Sequence, residues 1–190
     1  MPPKKSNSRE MIVDTASRLF FTQGYHATGL NQIIKESDCP KGSLYYYFPE
    51  GKEELASECI EHTRVVVLEK LNQCFANASN AVEAIQAFIQ SVGEEAVESE
   101  FEGFMPFSFW AAVETSCISM KLRTDSQAVF KDWQDLIALN LQKEGMVEVK
   151  SVEVASMVLS LLEGALILTL TNRNEQPLMS AAKYVACLIN

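Results

Sequence analysis

The sequence predicts an all-α protein: an N-terminal three-helix domain containing a helix-turn-helix, followed by a larger helical domain. Three observations predict it. Two short segments with apolar anchors flank a break at residues 37–40. Apolar residues recur at helical spacing through most of the rest. The last two such segments are too apolar to face water alone. The expected parts are a flexible basic tail at 1–8, the DNA-binding domain at 9–52 and the helical body at 53–190.

Residues 1–8 are polar and basic, with two prolines, and are expected to be disordered. Residues 9–23 place Ile12, Ala16, Leu19 and Phe20 at helical spacing and stop at Gly24. Residues 28–36 read as a short helix with Thr28 or Gly29 near its N-cap and Ile33 and Ile34 inward. Ser37-Asp38-Cys39-Pro40 breaks the chain, since a residue before proline is pushed out of helical conformation.

Residues 41–48, Lys-Gly-Ser-Leu-Tyr-Tyr-Tyr-Phe, then form the candidate recognition helix. Leu44 and Phe48 are four apart and share a face, so they anchor it. Successive side chains on a helix are splayed by about 100°, so Tyr45, Tyr46 and Tyr47 cannot all turn inward. Their hydroxyls suit phosphates and their rings suit base methyls. Lys41 and Gly42 stand at the helix start, where backbone N–H groups attract an anion and glycine permits close approach. A tyrosine-rich surface helix with a packing role is the alternative.

The body begins with a long helix from Gly51 to about Ala78. A second opens at Asn80 with Ile85, Phe88, Ile89 and Val92, its pattern loosening after Glu94. Phe101-Glu102-Gly103-Phe104-Met105-Pro106-Phe107 reads as a loop before a helix resumes at Phe109. Residues 121–144 carry Val129, Phe130, Trp133, Leu136 and Ile137 on one side, and Gly145 ends them. Residues 151–172 are apolar nearly all round, and 176–190 form a last helix. A helix apolar on every side must be buried on every side, so a homodimer is expected through Met157, Leu161, Leu168, Leu178, Ala182 and Val185. Phe88, Phe104, Phe109, Trp110, Glu114, Trp133 and Leu166 are candidates for a ligand cavity. Glu114 and Glu163 are single carboxylates in apolar stretches; each needs a ligand or a hydrogen bond within the body or across the dimer.

The 190 residues, 47% of them apolar, suffice for one substantial core or two small ones. A net charge of −9 would ordinarily oppose a nucleic-acid partner. Its distribution decides otherwise: residues 1–52 carry seven Lys/Arg against five Asp/Glu, and residues 53–190 carry nine against twenty. DNA contact would be confined to the N-terminal tip. Cys39, Cys59, Cys74, Cys117 and Cys187 are an odd, scattered set with no signal peptide expected, which reads as reduced thiols in a cytoplasmic protein. With only His26 and His62, no metal set can be built, and no cofactor is expected. The longest apolar run, 157–170, is interrupted by Ser160, Glu163 and Gly164 and is too short to span a bilayer.

Phe20, Gly24-Tyr25, Thr28, Ile33-Ile34, residues 41–48 and Lys52-Glu53-Glu54-Leu55 together resemble the N-terminal domain of TetR/AcrR-type bacterial transcriptional repressors, over roughly 9–55. Tyr47 stands where that family often has His, and Pro49-Glu50-Gly51 makes the link to Lys52 one residue longer than usual. That link, with Gly29-Leu30-Asn31-Gln32 and Leu162-Glu163-Gly164-Ala165, looks like the branch controlling multidrug-efflux and flavonoid-degradation genes. The resemblance implies a dimeric repressor of double-stranded operator DNA, released by a small-molecule inducer. Thr28, Leu30, Asn31, Lys41, Gly42, Ser43, Tyr45, Tyr46, Tyr47 and Lys52 are then the expected DNA-contacting residues, with Thr28 and Lys52 on phosphates.

Two other classes compete. A helical small-molecule-binding protein without DNA function accounts for the aromatic body but leaves 41–47 unexplained. An enzyme is disfavoured, because no Ser/His/Asp or Cys/His constellation and no glycine-rich phosphate loop is present.

Overall fold

The computed structural model describes residues 5–102, Glu114 and residues 119–189. The described residues are helical, in two compact units: Met1–Thr63 with Pro106–Ala128, and Arg64–Met105 with Val129–Asn190. By this division the first unit runs past Lys52 to Thr63 and takes in Glu114 and residues 119–128.

In the first unit, α1 (Lys5–Gln23) begins before Arg9, so the expected tail is helical from Lys5. Its face of Ile12, Ala16, Leu19 and Phe20 is buried. Gly24 ends it in the left-handed region, φ +87°, donating to Phe20 O at 3.0 Å. Helices α2 (Leu30–Glu36) and α3 (Lys41–Tyr47) pack on α1, and Gly29 rather than Thr28 is the N-cap of α2. Phe48-Pro49-Glu50-Gly51 closes as a turn, Gly51 N donating to Phe48 O at 3.0 Å, and leads into α4 (Lys52–Asn77). Glu53 and Glu54 in the first turn of α4 suit the positive end of its dipole. Arg9 pairs with Glu58 at 2.7 Å and lies over the Phe48 ring at 5.6 Å.

The second unit is built on α5 (Ala81–Glu98), which runs past Glu94. Asn80 caps it, accepting from Glu83 N at 2.9 Å, while the Glu83 carboxylate accepts from Ser79 N at 3.1 Å. Then come α6 (Met120–Lys143), α7 (Glu148–Asn172), α8 (Gln176–Tyr184) and α9 (Ala186–Ile189). The expected single C-terminal helix is thus two pieces meeting at Val185. Helix α8 lies in the angle between α5 and α7. Gly93 faces α8: a Cβ there would stand 2.6 Å from Cε at the movable end of Met179 and in ordinary contact with Leu178. Leu178, Ala182 and Val185 are at most 1% exposed, spent on this contact rather than on a dimer interface.

Helix α7 has the length and composition to cross a bilayer, which the interrupted run 157–170 did not lead one to expect. Its actual setting is two-faced. Val154, Val158, Leu162, Ala165 and Leu166 are buried, whereas Met157 and Leu168 are exposed and Leu161 is half-buried.

Cys59 on α4 is fully buried, its thiol 3.7 Å from Val13 O, and burial pushes its pKa up to about 12. The thiolate is the reactive form, so native protein at pH 8 is expected to leave Cys59 unalkylated by iodoacetamide, with reaction on unfolding in urea, read by mass spectrometry. The sign for stability follows: the raised folded pKa contributes fully below the ordinary thiol value near 8.5, and the contribution is lost as pH climbs toward the folded one.

Candidate nucleic-acid interface

Helices α2 and α3 are too short to stand alone, and each is held by inward residues: Ile33 on α2, Leu44 and Phe48 at and just beyond α3. The turn between them is made by Ser37, whose N–H donates to Ile33 O at 2.9 Å, and by Asp38 at φ +52°, a left-handed position aspartate tolerates. Pro40 is the N-cap of α3. With Leu44 and Phe48 turned in, Tyr45 is 44% exposed and Tyr46 76%, as the spacing predicts. Tyr47 is half-buried, its ring 5.1 Å from Tyr46 in an edge-on contact. Lys41 is exposed with its ammonium 5.9 Å from the Tyr45 ring. Gly42 is exposed, with nothing within 4 Å of where a Cβ would lie, and Ser43 beside it is half-buried. On α2, Asn31 is exposed and Leu30 half-buried against Gly51. Lys41, Gly42, Tyr45, Tyr46 and Asn31 thus make an outward polar and aromatic surface on two adjoining helices.

Thr28 is a correction. At 1% exposure its side chain cannot reach a phosphate. Its hydroxyl lies 2.8 Å from Gly24 O and 3.2 Å from Leu19 O, and Gln23 Nε2 donates to it at 3.2 Å. It fastens the end of α1 to the start of α2. Lys52 is half-buried with its ammonium 4.3 Å from the centroid of the Tyr25 ring. Burial lowers its pKa, and the nearby Glu114 charge opposes that shift.

A polar band braces α2 against α1. Gln23 donates to Gln32 at 2.7 Å, Gln32 to Glu36 at 2.9 Å and Arg18 to Glu36 at 2.6 Å. The Arg18 bond, then the Gln32 bond, hold the Glu36 carboxyl below its ordinary pKa.

Of the expected ligand residues, Phe88, Trp133 and Leu166 are buried in the second unit, Trp133 donating to Arg64 O at 3.4 Å. A cavity of about 410 Å³ there is walled by Leu141, Gly145, Met146, Val147 and Ile189 with Glu144 and Lys150, and by none of those three. Phe104, Phe109 and Trp110 lie outside the described residues. Glu114 sits elsewhere than expected: its two carboxylate oxygens accept from Tyr25 N and His26 N, each at 2.9 Å, at the turn after α1. The sequence gives no sign of this contact, which joins residues 89 apart, nor of the seat that Tyr25 offers Lys52.

The chain is similar to known proteins along most of its length. Residues 12–59 match the family described as bacterial regulatory proteins, tetR family, and residues 81–184 the one described as transcriptional regulator LmrA/YxaF-like, C-terminal domain. An uncharacterised helix-turn-helix regulator of Bacillus subtilis, YxaF, is 43% identical over 97% of this chain and 96% of its own. The regulator LmrA of the same organism is 38% identical, over 96% and 97%. A TetR transcriptional regulator from Legionella pneumophila shares the fold, with a TM-score of 0.85 at 23% identity and all of both chains covered.

Replacing Thr28 by Val keeps the shape and removes the hydroxyl. The expected result is a loss of about 1–3 kcal/mol in urea unfolding, with no change in the salt dependence of DNA binding. A shallower salt slope at unchanged stability would return Thr28 to the phosphates.

Proposed function

Because the chain belongs to the TetR family of bacterial transcriptional regulators, we propose that it binds a palindromic operator as a homodimer, represses the adjoining gene and is released by a small, apolar, aromatic inducer. It is a regulator, not an enzyme. The observation that carries the DNA reading is the outward presentation of Tyr45 and Tyr46 by a helix whose Leu44 and Phe48 are buried. Lys41 and Asn31 extend that surface, phosphate contacts positioning the protein and base-edge contacts supplying specificity. Two such helices about a two-fold axis would enter major grooves about 34–36 Å apart.

The dimer reading is supported by α7, on which Met157 is 54% and Leu168 53% exposed, with Leu161 half-buried between them. An apolar stripe of this kind on a helix otherwise packed in a core fits a second copy. The inducer reading rests on the family and on the aromatic content of the second unit. An inducer can shift the equilibrium only by binding the DNA-incompetent state more tightly. Genes for efflux or for degradation of aromatic compounds are the proposed targets, and the cytoplasm the proposed location.

The test is binding to the DNA upstream of the protein's own gene, by fluorescence anisotropy across a salt series and then with a panel of planar aromatic compounds. Wild type should bind tightly and lose about one unit of salt slope when Lys41 is replaced by Ala. Tyr46→Ala should weaken the specific complex at least tenfold while its thermal midpoint stays within about 2 °C, a surface change being close to neutral for folding. Equal loss of folding and binding would place Tyr46 in the core. For the dimer, Leu168→Glu is expected to give a folded monomer in sedimentation velocity with operator binding abolished; an unaltered dimer would move the interface off α7.

A further inference from the structure

The helix-turn-helix is bracketed by two short links: residues 24–29 lead into α2, and residues 48–51 lead out of α3 into α4. One carboxylate holds the first link by hydrogen bonds and acts through its charge on Lys52, just after the second. Gly24 turns the chain at φ +87°, and Glu114 accepts from the next two N–H groups, Tyr25 and His26, at 2.9 Å each. The carboxylate comes so close that a Cβ on Gly24 would lie 3.0 Å from its Oε2. Thr28 then carries the turn to the start of α2 through its hydroxyl contact with Gly24 O at 2.8 Å. On the exit side, Lys52 opens α4 with its ammonium on the Tyr25 ring and in the field of Glu114. Ser119 donates to Glu53 and Lys121 to Ser57, so residues near Glu114 in sequence also grip the first turns of α4.

Two charge-assisted hydrogen bonds to adjacent N–H groups fix a turn in direction as well as in position. A displacement of Glu114 would be felt at the entrance to α2 through Gly24 and Thr28, and at the exit from α3 through Lys52. We propose that Glu114 is a positioning residue for operator recognition: it touches no DNA, and it sets the angle at which α2 and α3 are presented. The proposal rests on the DNA-binding reading above and names the group by which that reading surface is regulated. Any ligand that favours a state lacking the Glu114 contact lowers operator affinity by its preference for that state.

The sign of the effect separates this role from simple electrostatics. Glu114→Gln removes a negative charge from the DNA-binding unit, and charge alone would tighten binding to every DNA sequence. In the positioned turn, the glutamine amide can accept only one of the two N–H groups and presents its own N–H to the other. The full-length Glu114→Gln protein should therefore bind operator about tenfold more weakly, with sequence-blind binding unchanged or slightly tighter. Its salt slope should be unaltered and its thermal midpoint within about 2 °C of wild type. Amide exchange at Tyr25 and His26 should quicken, and Glu114→Asp, which keeps the charge, should recover part of the affinity.

Operator affinity equal to or tighter than wild type would overturn the role. So would a loss of operator and sequence-blind binding in step with a large fall in thermal midpoint, which is what a merely structural contact gives. If wild-type protein bound no operator sequence specifically, the DNA reading and this role would fall together, whereas specific wild-type binding with an indifferent Glu114→Gln sinks this role alone.

Discussion

The structure depends on two buried side chains that anchor a helix of seven residues. A helix this short does not persist in water, since nucleation is costly and few hydrogen bonds follow it. Leu44 and Phe48 supply what propensity cannot, by packing into the core of the first unit, and Arg9 lies over the Phe48 ring from α1. Once that face is fixed, the 100° step between neighbours determines the rest: Tyr45 and Tyr46 must point away from the core. The outward surface proposed to read DNA is a consequence of what is buried behind it.

The same logic applies to α7, where composition and burial disagree. Val154, Val158, Leu162 and Leu166 are covered within the chain, and Met157 and Leu168 are not. An interior helix of one chain would be covered all round. A surface helix would carry charge along its outer face, and here that face is charged at Glu153 near its start and then carries Ser156, Met157, Ser160, Gly164 and Leu168. Small residues with interspersed large apolar ones let a second helix approach closely and bury area at low cost in desolvation.

The sequence made the anchors and tyrosines of α3 legible because they follow from local spacing alone. It made α7 legible as too apolar for water, but not which face stays open. It misled at Leu178, Ala182 and Val185: a helix with one apolar face can use it once, and α8 spends it against α5 and α7. Thr28 misled in another way. A threonine ahead of a helix suits a phosphate, a cap or a backbone carbonyl equally well, and only its 1% exposure with Gly24 O at 2.8 Å separates them. The Glu114 contact was illegible in principle, because no periodicity links residues 89 apart.

Charge makes the last point. Charges more than about 8 Å away through physiological salt are largely screened, so the acids that matter for DNA are those of the DNA-binding unit itself, Glu53, Glu54 and Glu58 of the acidic stretch 53–190 among them. Several of these are engaged by neighbours: Glu36 by Arg18 and Gln32, Glu58 by Arg9, Glu53 by Ser119, and Glu54 by the N–H of Glu50. A pair with a cation cancels much of the field a phosphate would meet. Glu114, like Glu53 and Glu54, is held by neutral donors, here two N–H groups that leave its negative charge uncancelled apart from Lys52 nearby. An uncancelled carboxylate on a DNA-binding unit costs affinity for every sequence alike. Its presence is reasonable if it returns more through geometry than it loses through charge, and the bracketed turn at Gly24 is where that return would be made.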